Sequence, residues 1–226
     1  MKIRKLSLLE GASNATGTTV IIDVFRAFTT AAYVMANGAE RIIPVTRIDE
    51  AFNMKALHPD WVLMGENHGI QIPGFDYGNS PADIEKVDFT GKTVIQRTSS
   101  GTQGISLAKE ADVILLGSFV IAEATANYIK YNVPKVVSLV AMGWEGAYKA
   151  LEDELFAEYL ESRLNGDSPN FEEIVNKIKE NPSGMKFFDK TQSHFKERDF
   201  HLAMNLDLFN FAIRVERKDP FFYTKV

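Results

Sequence analysis

Asp23 directly follows the apolar run Val20-Ile21-Ile22 and precedes Arg26 by three residues, so an anion and a cation leave the end of a buried strand together. Two readings of the pair stay open. In one, the aspartate caps a helix and is salt-bridged to Arg26. In the other, the carboxylate binds a metal and the guanidinium grips a phosphate through its planar fork. On the second reading Glu66, in the next acidic and glycine-rich loop, joins Asp23 and Arg26 as a candidate catalytic residue.

That loop runs from Gly65-Glu66-Asn67-His68-Gly69 to Gly74-Phe75-Asp76-Tyr77-Gly78-Asn79-Ser80-Pro81. A connection of this length inside a compact domain is usually functional or disordered. Glu66 and Asp76 offer the hard oxygen donors that suit Mg²⁺. His68 reads equally well as a surface residue, and the four histidines show no paired spacing of the kind zinc needs.

A second loop, Arg97-Thr98-Ser99-Ser100-Gly101-Thr102, follows an apolar strand and leads into a helical pattern. Small hydroxyl side chains and a glycine at a helix start can present backbone N–H groups to an anion, so these six residues are candidate substrate-binding residues. Asn79, Ser80 and Ser118 lie at neighbouring strand ends and join them. The plainer reading of the loop is a Ser/Thr cap. It matches neither G-x-x-x-x-G-K-[ST] nor G-x-G-x-x-G, which disfavours a nucleotide enzyme built on those loops. Glu152 and Asp153 sit in the first turns of a later helix; acids there suit the helix dipole, or they complete a metal shell with Asp23, Glu66 and Asp76.

The elements that must carry these residues are short apolar runs alternating with helical patterns, the rhythm of a largely parallel sheet covered on both faces. After Val20-Ile21-Ile22, strands are predicted over 41–45, 61–64, 93–96, 113–116 and 135–140, each rich in Val, Ile or Leu. Ligands of such sheets collect beyond the carboxyl ends of the strands, where the candidate residues lie. A helix is predicted from beyond Gly146 to Leu164, ended by Asn165-Gly166-Asp167-Ser168-Pro169. The last third, with Phe187-Phe188, Phe195, Phe200, Phe209, Phe211 and Phe221-Phe222, has no clean period; its rings suit core packing or contacts between copies of the chain in a homo-oligomer.

Bulk properties bound the function. The chain has 226 residues, 45% of them hydrophobic, enough for one domain over 1–226 with a substantial core. A formal net charge of −5 gives no general attraction to nucleic acid or to an anionic membrane. With no cysteine, disulfides, thiolate ligands and a cysteine nucleophile are excluded. No apolar run approaches the ~18 residues of a membrane span, and a cytoplasmic protein is expected.

The segment Ile22-Asp23-Val24-Phe25 argues against the haloacid-dehalogenase-like phosphatases, whose signature has a second aspartate where Phe25 stands. The chain instead resembles the 2-phosphosulfolactate phosphatase family. The resemblance rests on Asp23 to Thr30, Gly65-Glu66, Gly74 to Pro81, Thr98 to Thr102, Gly117-Ser118-Phe119 and Glu152-Asp153, in that order along the chain. It implies a three-layer α/β/α fold and a Mg²⁺-dependent phosphatase acting on 2-phospho-3-sulfolactate, a small phosphorylated and sulfonated acid of coenzyme M biosynthesis. Asn67, Ile121 and Phe156-Ala157-Glu158 depart from the residues frequent in the family. The alternatives are a phosphatase of the same fold with another small phosphorylated hydroxy acid as substrate, and a protein of the same fold that binds a phosphorylated ligand without turnover.

Overall fold

The computed structural model describes residues 1–218 and 221–225. In chain order its strands are β1 (Lys2–Ser7), β2 (Gly17–Ile22), β3 (Arg41–Val45), β4 (Val62–Asn67), β5 (Ile70–Gln71), β6 (Thr93–Arg97), β7 (Ala111–Gly117), β8 (Val136–Ala141), β9 (Arg214–Lys218) and β10 (Phe221–Lys225). The helices are α1 (Leu8–Ser13), α2 (Ala27–Ala36), α3 (Ile48–Leu57), α4 (Pro81–Ile84), α5 (Gly101–Leu107), α6 (Ala122–Asn132), α7 (Leu151–Asn165), α8 (Phe171–Glu180), α9 (Pro182–Met185) and α10 (Glu197–Ala203).

The strands form one sheet in the order β1-β8-β2-β7-β9-β10-β3-β6-β4-β5. β1, β8, β2 and β7 pair in parallel, as do β3, β6 and β4. The antiparallel pair β9 and β10 bridges these halves, with β9 on β7 and β10 on β3. All six strands predicted between residues 20 and 140 are present. The edge strand β1, the two-residue β5 and the bridging hairpin are additions: Lys2, Arg4 and Lys5 hide the first, β5 is too short to show a pattern, and Arg214-Val215-Glu216-Arg217-Lys218 hides the hairpin. Phe221 and Phe222 fall in β10, where side chains other than that of Thr224 lie outside the described residues.

Alternation along β2 explains why its second half, Val20-Ile21-Ile22, is apolar on both faces. Val20 and Ile22 face one core with Leu115, Leu139, Phe119 and Phe156, under α6 and α7. Ile21 faces another with Leu116, Val140 and residues of α2 and α5. Both faces of the strand are covered, which favours apolar side chains there; Thr19 is the exception, fully buried with a hydroxyl that has no hydrogen-bond partner. The second core also contains Ile42, Met64 and Val94 from the other half of the sheet, while Ile43, Leu63 and Ile95 pack on the opposite face with α3. Helices therefore cover both faces, the three-layer α/β/α arrangement the sequence implies.

Four strands separate β2 from β6 in the hydrogen-bonded order. In a flat sheet their ends would stand roughly 24 Å apart, at about 4.8 Å per strand. Yet Gln96 of β6 donates from Nε2 to the carbonyl of Ala27, just beyond β2, at 3.0 Å. The sheet curls around its inner core, and the curl brings two distant strand ends to one place. Among the described residues no helix is long and apolar enough to cross a membrane.

Candidate active site

At the carboxyl end of β2 the Asp23 carbonyl accepts from Phe28 N–H at 3.0 Å, and its Oδ1 accepts from Ala27 N–H at 3.0 Å. The aspartate thus starts α2, as the capping reading required, but it is not the partner of Arg26. Arg26 Nη1 donates to Asp199 Oδ2 and to the His194 carbonyl, both at 2.8 Å, and Nη2 donates to the Gly69 carbonyl at 2.9 Å. The guanidinium also lies 5.0 Å from the Phe195 ring centre. One residue therefore ties the strand end, the glycine loop and the C-terminal third together.

The Arg97–Thr102 loop meets Asp23 from β6. The anion it cradles is first of all the protein's own: Ser99 N–H donates to Glu66 Oε1 at 2.5 Å, and Gly69 N–H donates to Glu66 Oε2 at 2.6 Å. Gly101 is fixed by contact, since a Cβ there would stand 2.9 Å from Asp23 Oδ2 and 2.9 Å from Phe28 Cζ. Gly65 has the same kind of role one residue before Glu66, where an added Cβ would meet the Arg97 carbonyl at 2.1 Å. Backbone amides thus hold two carboxylates in fixed orientations.

Asp23, Glu66, Arg26, Asn79, Ser99 and Ser100 line one cavity whose free interior is about 30 Å³ and whose mouth opens to solvent. Trp144 and Phe195 close its apolar side, and His68 with its partner Glu145 lies at its rim. Asn79 Oδ1 is buried there without a hydrogen-bond partner. Burial pushes the Asp23 carboxyl up to about 7; the Ala27 N–H draws it down, and the charges of Glu66 and Glu152 raise it again.

Other candidate residues stand elsewhere. Asp76 is half exposed at 44%, and its Oδ2 accepts from Leu63 N–H at 2.8 Å on the far side of β4, which takes it out of the expected metal shell. Ser118 is fully buried with Oγ unpartnered, away from the cavity. Thr98 and Thr102 spend their hydroxyls within the loop, where each accepts from the other's backbone N–H at 3.1 Å. Arg97 turns to the Glu66 carbonyl at 2.7 Å, bracing β4. Ser80 Oγ donates to Asp199 at 2.7 Å, so it serves Arg26 at one remove.

The two acids of α7 differ. Asp153 accepts from Val24 N–H and Gly143 N–H at 2.8 Å each, so both its oxygens hold loops around the cavity. Burial sets its carboxyl well above the ordinary carboxylate range, and the charges of Glu152 and Asp23 add to the effect. Glu152 is buried with Oε2 unpartnered and lines a second cavity alongside the first. Sequence reasoning missed Asp199, Trp144, Phe195 and Lys186, all of which border this region; Asp199 stands among charged and aromatic residues, and nothing in the sequence sets it apart from its acidic neighbour Glu197.

Among the described residues no group of three or more acids or histidines forms a ready-made metal cage. Mg²⁺ seldom needs one, because it is commonly held by one or two carboxylates together with waters and substrate phosphate. Asp23, Glu66 and the orphaned Asn79 oxygen are hard donors on one cavity and fit such an ion.

Residues 5–217 match the family described as 2-phosphosulpholactate phosphatase. The chain is 36% identical over 201 residues to a probable 2-phosphosulfolactate phosphatase of Bacillus subtilis, covering 88% of this chain and 86% of the relative. It is 34% identical over 197 residues to one from Thermoplasma volcanium, covering 87% and 88%. A third, from Caldicellulosiruptor saccharolyticus, is 42% identical over 145 residues, 62% of this chain and 59% of the relative.

Proposed function

The chain belongs to the 2-phosphosulfolactate phosphatase family and is thereby a phosphoric monoester hydrolase, and on that premise we propose that it hydrolyses 2-phospho-3-sulfolactate to sulfolactate and phosphate with bound Mg²⁺. The observation that carries the metal and the site is the convergence of Asp23, Glu66 and the unpartnered Asn79 oxygen with Arg26 on one cavity.

Asp23, Glu66 and Asn79 would hold the ion. When bound, it offsets charge on the transferring phosphoryl group and lowers the pKa of a water. Arg26 has five N–H donors, of which three bonds go to protein acceptors; the remainder is available to a phosphoryl oxygen in the cavity it lines. Ser99 and Ser100 line the same cavity, where their hydroxyls donate to Glu66 at 3.2 Å and to the Gly143 carbonyl at 2.7 Å, so they hold Glu66 and the Gly143 loop in place around the substrate. Trp144 and Phe195 exclude bulk water, which strengthens each of these charge contacts. Asp23 occupies the junction of all of them and is the central carboxylate, as metal ligand or as nucleophile.

The deciding experiment is phosphate release from 2-phosphosulfolactate by the purified protein. Release with Mg²⁺ that stops with EDTA is expected. Release unaffected by EDTA would remove the metal from the proposal, and no release with any divalent cation would remove the function.

A further inference from the structure

Beside the Asp23 cavity lies a wider one of about 490 Å³, and the two share Phe25, Gly143, Trp144 and Phe195 as common walls. A molecule that fills both would have its reacting end at Asp23 and its other end in the wider space.

Lys186 lines that wider space. It follows α9 directly, in a short turn over Lys186–Phe188, and is partly buried. Its Nζ sits 4.5 Å from the ring centre of Trp144, 4.7 Å from that of Phe195 and 5.5 Å from that of Phe187. These rings hold an ammonium by cation–π attraction but accept no conventional hydrogen bond. Among the described residues no carboxylate forms a salt bridge with it and no oxygen accepts a hydrogen bond from it. Three N–H donors are therefore without a hydrogen-bond acceptor on a cation that burial desolvates; the charges of Glu152, Asp23 and Asp153 offset part of that cost, and an anion in direct contact would offset more.

Ser183, whose buried hydroxyl has no partner, also lines the wider cavity and could donate to the same group, but it carries no charge. Lys149, the other cation on its wall, is already paired with Glu154 at 3.3 Å. Glu152, on the same wall, keeps one buried oxygen without a hydrogen-bond partner.

Resting on the phosphatase reading above, we propose that Lys186 receives the substrate's second acid group, a carboxylate or sulfonate carried a few atoms from the phosphate ester. The substrate then spans the two cavities: Arg26 takes the phosphate, and the caged ammonium reads whether an acid stands at the other end. Lys186 is thus the residue that selects acidic phosphate esters over neutral ones.

The test measures binding and turnover separately, in the intact chain with Mg²⁺ present throughout. Sulfolactate and inorganic phosphate are titrated by calorimetry into the wild type, Lys186→Met, Lys186→Gln and Lys186→Arg. Expected is a loss of sulfolactate affinity of about tenfold or more in the Met and Gln variants, retention in the Arg variant, and unchanged phosphate binding in all. A phosphate ester with a neutral tail should be turned over alike by all four proteins. Equal loss for both ligands, loss for neither, or no sulfolactate binding by the wild type would overturn the assignment. Two neutral variants guard against one that fails to fold. Hydrolysis of 2-phosphosulfolactate by the wild type is scored independently, so failure of the function and failure of the Lys186 assignment give different results.

Discussion

Arg26 and Asp199 lie 173 residues apart in sequence and 2.8 Å apart in space, in a salt bridge whose side chains are 4% and 0% exposed. Removing two charges from water is costly, and the geometry must recover it through bonds to every remaining group. Asp199 accepts from Ser80 Oγ at 2.7 Å and from Ala82 N–H at 3.0 Å, so its second oxygen is also satisfied. The pair holds α10 and the start of α4 against the end of β2.

Asp199→Asn should keep the shape of this site but leave the guanidinium buried without its counter-charge. A loss of about 3–5 kcal/mol is expected for breaking one side of a buried pair. Urea denaturation of the variant beside the wild type checks it, and a loss within the range of a surface substitution would mean that solvent reaches Arg26.

Arg26→Lys keeps the charge and discards the fork. An ammonium cannot reach Asp199, the His194 carbonyl and the Gly69 carbonyl in one plane while also presenting a donor to the cavity. Phosphate release should fall by roughly a hundredfold, the scale of losing a positioned electrostatic donor. Near-normal turnover would show that Arg26 only joins elements of the fold.

Gly101→Ala should reduce both stability and turnover. A Cβ at this position meets the Asp23 carboxylate, Phe28 and, at 3.1 Å, the Cβ of Ala27, so α5 or the aspartate must move. The sequence reading gave Gly101 a role in approaching an anion; the packing shows that its missing side chain also makes room for Asp23 and Phe28. Displacing a catalytic group by about 1 Å can cost ~100-fold in rate. Equal melting temperatures and equal turnover in variant and wild type would refute the contact.

The strand-end logic worked because it depends on local pattern. Apolar runs ending in Asp23, Glu66 and Ser99-Ser100 mark the carboxyl edges of β2, β4 and β6, and the curl of the sheet brings those edges together. What the pattern could not supply was direction. Asp76 lies in the same loop as Asn79, yet its side chain turns to β4 and Asn79 faces the cavity. Partners from the last third were illegible for a different reason: Lys186, Phe195 and Asp199 reach the site through tertiary packing of short elements, and neither a helical nor a strand period announces them.

Asp23→Asn tests the centre of the site through pH. The ordinary aspartate pKa is 3.8, and burial raises that of Asp23 to about 7 in the folded protein. Between those values the folded chain holds a proton that the unfolded chain releases. The stability contributed by Asp23 is thus fully present below 3.8, falls as pH rises, and is lost above about 7. The slope is at most about 1.4 kcal/mol per pH unit for one proton. Asn carries no such proton, and its loss of one acceptor oxygen is a cost independent of pH. In EDTA, the variant should therefore gain stability relative to the wild type between about pH 5 and about pH 8 in urea denaturation. A difference that stays constant across that window would refute the raised pKa. Repeating the measurement with Mg²⁺ at the higher pH then separates the two roles of the carboxylate. If Asp23 is a metal ligand, Mg²⁺ stabilises the wild type by linkage and not the variant, and the difference closes. If Mg²⁺ stabilises both equally while only the wild type releases phosphate, Asp23 acts on the phosphoryl group and Glu66 and Asn79 carry the metal.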